Sequence, residues 1–205
     1  MSGRAARRCG LLFLASVALF GQNAATSASK TNYTPLDFND RMKWAAVSTF
    51  GLKGTGAGIW STSWSTWVTN SPKEWHGTWE GWGKRFASRE ASVAISNTGE
   101  AMFSQLWGED PRYLTDHKGT FKQRVGRAIL QGVAAHNRQG ELMPAYARYL
   151  GTFGGNWARN SWMPPSGKGP DQIVISSLYG FGGRMVGNGF TEFWPEIKKI
   201  LHLGK

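Results

Sequence analysis

Along most of the chain, apolar residues recur at helical rather than alternating intervals. Tyr146, Leu150, Phe153 and Trp157 follow one another at steps of four, three and four, and Val174, Leu178, Phe181 and Met185 repeat those steps, the signature of an apolar helical stripe. Thr120, with Gln123 three residues on, opens a helix that carries Val125, Ala128, Ile129, Gly132 and Val133 on one face and is ended by Asn137 and Gly140. Ser71-Pro72-Lys73-Glu74 combines a hydroxyl cap, a proline and a glutamate, which predicts a helix beginning at Ser71. A less regular helix, interrupted by glycines and hydroxyl residues, is expected over residues 38–68. Pro164, Pro165, Gly167, Gly169 and Pro170 form a connector that neither helix nor strand crosses easily. The alternating segments of a membrane β-barrel are absent from the pattern. The fold class expected is all-α, a single-domain bundle of about five helices.

Small residues repeat beside the apolar ones. Ala147, Gly151, Gly154 and Ala158 make one stripe, Ser176, Gly180, Gly183 and Gly187 a second, and Gly51, Gly54, Gly58 and Ser61 a third. A glycine inside a helix costs about 1 kcal/mol relative to alanine, so the stripes need a compensating gain, most simply the close approach of helix backbones.

The amino terminus changes the picture. Arg4, Arg7 and Arg8 precede an apolar run from Leu11 to Phe20 and a small-residue stretch from Ala24 to Ser29, the three-part layout of a secretory signal peptide. Its core of about ten residues falls short of the roughly 20 a membrane span needs. Residues 1–28 are therefore expected to be a cleaved signal peptide and residues 29–205 a single helical domain, exported to the periplasm or outer envelope of a bacterium. Cleavage removes Cys9, the only cysteine, and with it any disulfide or thiol chemistry. Of the 24 basic residues, 21 remain against 13 acidic ones. A basic exported chain meets anionic lipid headgroups or wall polymers before it meets nucleic acid, so an anionic membrane surface or an envelope partner is expected, and nucleic acid is not.

Tryptophan is the most distinctive residue, with 11 copies. Trp60, Trp64 and Trp67 stand at helical spacing, and Trp75, Trp79 and Trp82 repeat it, directly followed by Lys84, Arg85, Phe86 and Arg89. Three indoles on one helical face can pack a core, sit at a membrane interface or stack on sugar rings. Indoles beside cations suit an anionic interface, so Trp60, Trp64, Trp67, Trp75, Trp79, Trp82, Lys84, Arg85 and Arg89 are the candidate binding residues. The uncharged stretch over residues 54–72 is long enough to span a bilayer but is loaded with Ser61, Thr62, Ser63, Ser65, Thr66, Thr69 and Asn70, which argues against a span.

The densest polar cluster is Glu109-Asp110-Pro111-Arg112-Tyr113 with Asp116 and His117. Glu109, Asp110 and His117 could support acid/base catalysis if they met in a cleft, whereas Asp-Pro is equally an ordinary turn opener. His76, His117, His136 and His202 lack the spacing of a helical metal site, so no metal or other cofactor is expected. The glycine-rich run over residues 180–189 lacks the strand and lysine of a phosphate loop, and no Gly-x-Ser-x-Gly elbow occurs. Pro164-Pro165-Ser166-Gly167-Lys168 has a lysine where a membrane phosphatase signature has histidine.

The succession Trp82-Gly83-Lys84-Arg85-Phe86, Glu109-Asp110-Pro111-Arg112-Tyr113, Asn160-Ser161-Trp162 with Pro164-Pro165, and Glu192-Phe193-Trp194-Pro195 resembles a family of small exported proteins of unknown function from soil bacteria. The resemblance spans most of the mature chain and implies no activity. The expectation is a non-enzymatic, envelope-associated protein, with a cell-envelope hydrolase using the acid and histidine cluster as the competing reading.

Overall fold

The computed structural model of the chain describes residues 34–202; the expected signal peptide, residues 1–28, lies outside them. The described residues form a mostly all-α single domain. Its helices are α1 (Phe38–Phe50), α2 (Leu52–Trp67), α3 (Trp79–Trp107), α4 (Phe121–Val133), α5 (Tyr146–Arg159), α6 (Pro170–Glu192) and the short α7 (Trp194–Ile200). Two short strands, β1 (Ala134–His136) and β2 (Leu142–Pro144), pair antiparallel with Ala135 opposite Met143.

Local chemistry sets most of these boundaries. Asp37 caps α1 by accepting from the Asp40 N–H at 2.7 Å. The helix expected over residues 38–68 is two helices, because Gly51 turns extended and a Cβ there would lie 2.4 Å from the Val47 carbonyl oxygen. α3 begins at Trp79 rather than Ser71: Thr78 caps it by accepting from Gly81 N–H at 3.1 Å, and residues 73–75 make only a 3-10 turn. Glu74, read as a helix-start residue, instead accepts from the Ser166 N–H at 2.9 Å on the α5–α6 connector. Gly108, at φ 69°, ends α3 in the left-handed region where a side chain is strained. The capping box of Thr120 and Gln123 opens α4 as its spacing predicts. Asn137 and Gly140 do not end that helix; they build the β1–β2 turn, where the Asn137 carboxamide oxygen accepts from the Gln139 and Glu141 N–H groups, each at 2.9 Å.

The long helix α3 is the spine. α1 and α2 pack along it, with Asn97 donating to Thr49 at 3.0 Å and the Trp82 indole N–H donating to Ser63 at 3.1 Å, so both run antiparallel to it. α5 lies against α3 more extensively than any other pair, and α6 bridges α5 and α4. Glycine governs the α3–α5 contact. A Cβ on Gly151 would sit 2.5 Å from the Ser96 carbonyl oxygen, and one on Gly155 would sit 2.8 Å from the Ser92 carbonyl oxygen. The working stripe on α5 is thus Ala147, Gly151 and Gly155; Gly154 faces open space. On α6 only Gly180 touches a neighbour, Thr152 of α5, and Gly183 and Gly187 meet nothing within 4 Å.

The interior inverts the usual partition. Among the described residues ten hydrophobic side chains are buried, and seven of them are alanine. The largest side chains that are fully buried are Arg41, Arg148, Glu100, Glu109 and Glu192. The apolar stripe of α5, Tyr146, Leu150, Phe153 and Trp157, faces outward, as do Val174 and Leu178 on α6; Phe181 is the buried member of its stripe. Close backbones leave room inside only for small residues and for flat or slender polar ones, so the bulky apolar groups are displaced to the outside. No helix among the described residues is long and apolar enough to cross a membrane.

Candidate functional site

The tryptophan-rich segment spans the junction between α2 and α3. Trp60, Trp64 and Trp67 lie along one face of α2 at 73, 54 and 49% exposure, and Trp79, at the first turn of α3, is 76% exposed. Trp67 meets Trp79 edge-on with ring centres 5.0 Å apart, Trp79 meets Trp82 at 6.4 Å, and Trp82 stacks on Phe86 at 5.1 Å with the rings 4° from parallel. Trp82 is half-buried and holds α2 to α3. Trp75 sits on the 3-10 turn rather than on α3, so the second triplet is not one helical face.

The three cations are placed differently from one another. Arg85 is buried: its guanidinium donates to the carbonyls of Ser71 at 2.9 Å and of His76 and Pro72 at 2.7 Å, and to the Asn70 side chain at 3.1 Å. It closes the α2–α3 loop from inside and offers nothing to a surface. Arg89 pairs with Glu90, and the exposed Lys84 pairs with Glu80 at 2.6 Å. Four exposed indoles and one paired exposed lysine make an aromatic patch far more than a cationic one.

Glu109, Asp110 and His117 each hold a different structural partner. Glu109 is buried and caps α5, its carboxylate accepting from the Ala147 N–H at 3.0 Å, while its carbonyl accepts from Arg41. Burial pushes its carboxyl up to about 7, against the pull of the Ala147 N–H and the Arg148 charge. Asp110 accepts from the Arg112 N–H at 2.9 Å and from its guanidinium at 2.7 Å, and its own N–H donates to His136 O at 2.8 Å, tying the loop to β1. His117 Nδ1 lies 3.0 Å from the Glu192 carbonyl oxygen at the far end of α6. Tyr113 donates to the Glu192 carboxylate at 2.7 Å, and that bond together with burial raises its phenol well above the ordinary range.

Two ion clusters hold the other fully buried acids, Glu100 and Glu192. Glu100 of α3 accepts from Arg148 of α5 at 2.9 Å and from Arg184 of α6 at 2.7 Å, so one carboxylate fastens three helices. Arg148 donates further to the carbonyls of Gln131 and Ala134. Glu192 accepts from Arg124 and Arg127 of α4, each at 3.2 Å. Every one of these groups braces helices or loops. Among the described residues no group of three or more histidine, cysteine or acidic side chains could hold a metal ion.

A second apolar surface carries no mark in the charge pattern read above. Phe103 and Trp107 at the end of α3 touch ring to ring with Tyr146 of α5, and through Tyr149 the path reaches Phe181 of α6 and Phe153. Leu150, Trp157, Val174 and Leu178 are exposed beside it. The signal was available: Arg148 shares a helical face with Gly151 and Gly155, so the charged and small residues of α5 belong together and the aromatic stripe opposite them must face out. The chain matches no family model, no curated protein and no solved structure.

Proposed function

We propose that the chain is an exported, envelope-associated protein with a non-enzymatic role, binding a membrane surface or an envelope partner through the indole patch of Trp60, Trp64, Trp67 and Trp79. The exposure of these four large indoles carries the reading. An indole left in water forgoes the stabilisation of burying its apolar ring, and an interface accepts both the ring and the N–H. That the acid and histidine side chains are committed to caps, loops and helix ends supports a binding role over a hydrolytic one.

Titration of the mature protein with vesicles of mixed zwitterionic and anionic lipid, read by tryptophan emission and by co-sedimentation, tests this. Emission is expected to shift to the blue on binding. Replacing Trp60 and Trp64 by serine is expected to weaken partitioning by about tenfold or more while leaving helicity unchanged, because neither ring packs the interior. Undiminished binding by that double variant, with no spectral shift in the parent, sinks the proposal.

A further inference from the structure

We infer that the aromatic and aliphatic face shared by α3, α5 and α6 lies in the acyl-chain region of a lipid bilayer, so that the protein is immersed face-down rather than only touching headgroups through its indole patch. The inference rests on the membrane branch of the function proposed above and names its partner as lipid. Three observations carry it.

First, charge is excluded from this face. Over residues 91–107 of α3, 146–158 of α5 and 172–191 of α6, the charged residues are Glu100, Arg148 and Arg184; both arginines bond Glu100, with Glu100 and Arg148 buried and Arg184 mostly so. What those helix segments present outward is uncharged for roughly 25 Å at 1.5 Å per residue. Second, several polar groups of these helices are satisfied internally. Ser92 donates to the Gly155 carbonyl, Asn156 to Ser177 at 3.1 Å, and Arg159 to Ser176 at 3.2 Å, so these groups turn inward while Leu150, Trp157, Val174 and Leu178 stay exposed.

Third, the flank of the face matches anionic headgroups. At the end where α6 meets α4 and α7, Lys118, Lys122, Lys198 and Lys199 are exposed against the single exposed acid Asp116, while Glu196 is held by Arg124. Exposed apolar side chains with lysines at one end of the helices suit immersion at a membrane surface, which needs no helix able to cross the bilayer.

The test exploits the single cysteine, Cys9, which lies in the expected signal peptide, so that labels can be placed singly on the mature chain. Leu150→Cys and Leu178→Cys on the face, and Glu141→Cys on the β1–β2 turn, carry an environment-sensitive fluorophore; helicity of each variant is checked first. With vesicles of phosphatidylethanolamine and phosphatidylglycerol, labels at 150 and 178 are expected to shift to the blue, to be quenched by a nitroxide on the acyl chain and to lose their accessibility to iodide, while the label at 141 stays in water. If labels 150 and 178 remain open to iodide while Trp60 and Trp64 report binding, the immersion is overturned and the function proposed above stands. If neither reports lipid, both fail. If 150 and 178 are already shielded before lipid is added and the protein sizes as a dimer, the face joins two copies and the inference is overturned.

Discussion

Arg85 does its work by collecting four oxygen acceptors from a loop that has no secondary structure of its own beyond a 3-10 turn. Replacing it by methionine removes this donor from the carbonyls of Ser71 and His76 and leaves Pro72 only the Trp75 N–H, and the expected loss is about 3 kcal/mol in denaturant unfolding, with lysine recovering only part. Its place between indoles and cations in the sequence suggested a surface; the carbonyls that surround it belong to a loop whose course no local pattern reveals. Glu109 supports a prediction in pH. Its carboxyl titrates at about 7 in the folded protein against an ordinary value of 4.5. Between those values the folded state holds a proton that the unfolded state has released, so stability falls as pH rises through this window. The fall is about 1 to 3 kcal/mol, complete above the folded-state value. Urea unfolding of Glu109→Gln at several pH values should show that slope removed. An unchanged slope in the variant would mean that another group supplies it.

Glycines on one helix have opposite roles, and that makes α5 a test of the packing. A Cβ at Gly151 meets backbone atoms of α3 at 2.5 and 2.8 Å, so Gly151→Ala forces the helices apart and is expected to cost about 1 to 3 kcal/mol. At Gly154 a Cβ meets nothing within 4 Å, so Gly154→Ala is expected to gain up to about 1 kcal/mol from helix propensity alone. Thermal unfolding of the two variants side by side checks both signs. The helical periods, the capping box at Thr120, the connector over residues 164–170 and two members of the α5 stripe, Ala147 and Gly151, are legible in the sequence, whereas Gly155 rather than Gly154 completes that stripe. What was not legible is direction. An apolar stripe at steps of four, three and four identifies a helix face but not whether that face meets protein, and here Gly151 and Gly155 take the inner side and displace Leu150, Phe153 and Trp157 outward. The β1–β2 hairpin was missed for a related reason: Asn137 and Gly140 end a helix and turn a hairpin with equal ease, and only the bond from Asp110 to His136 decides it.

Seen whole, the molecule sets bulky apolar groups on its exterior and holds itself together with close backbones and buried ions. The ion pair at its centre is shielded from bulk salt, while pairs at its surface are not. Glu100 and Arg148 are each only 2% exposed, whereas Lys84 and Glu80 are open to solvent. Screening acts over about 8 to 10 Å at moderate ionic strength and reaches exposed pairs far more than buried ones, so raising salt is expected to change unfolding stability by less than about 0.5 kcal/mol. The proposed lipid contact would act differently. A surface that binds the folded form and not the unfolded chain adds RT ln(1 + [L]/Kd), about 2.7 kcal/mol when lipid sites exceed Kd a hundredfold. The melting temperature is thus expected to be nearly flat in salt alone and to rise steadily with vesicle concentration. Breaking the Glu100 triad by Glu100→Gln should lower both curves by a similar amount, about 3 kcal/mol, since it weakens the interior without touching the outer face. Differential scanning measurements across salt and vesicle series check this directly. A melting temperature that falls steeply with salt and ignores lipid would place the stabilising ionic contacts on the outside, contrary to the buried network seen in α3, α5 and α6.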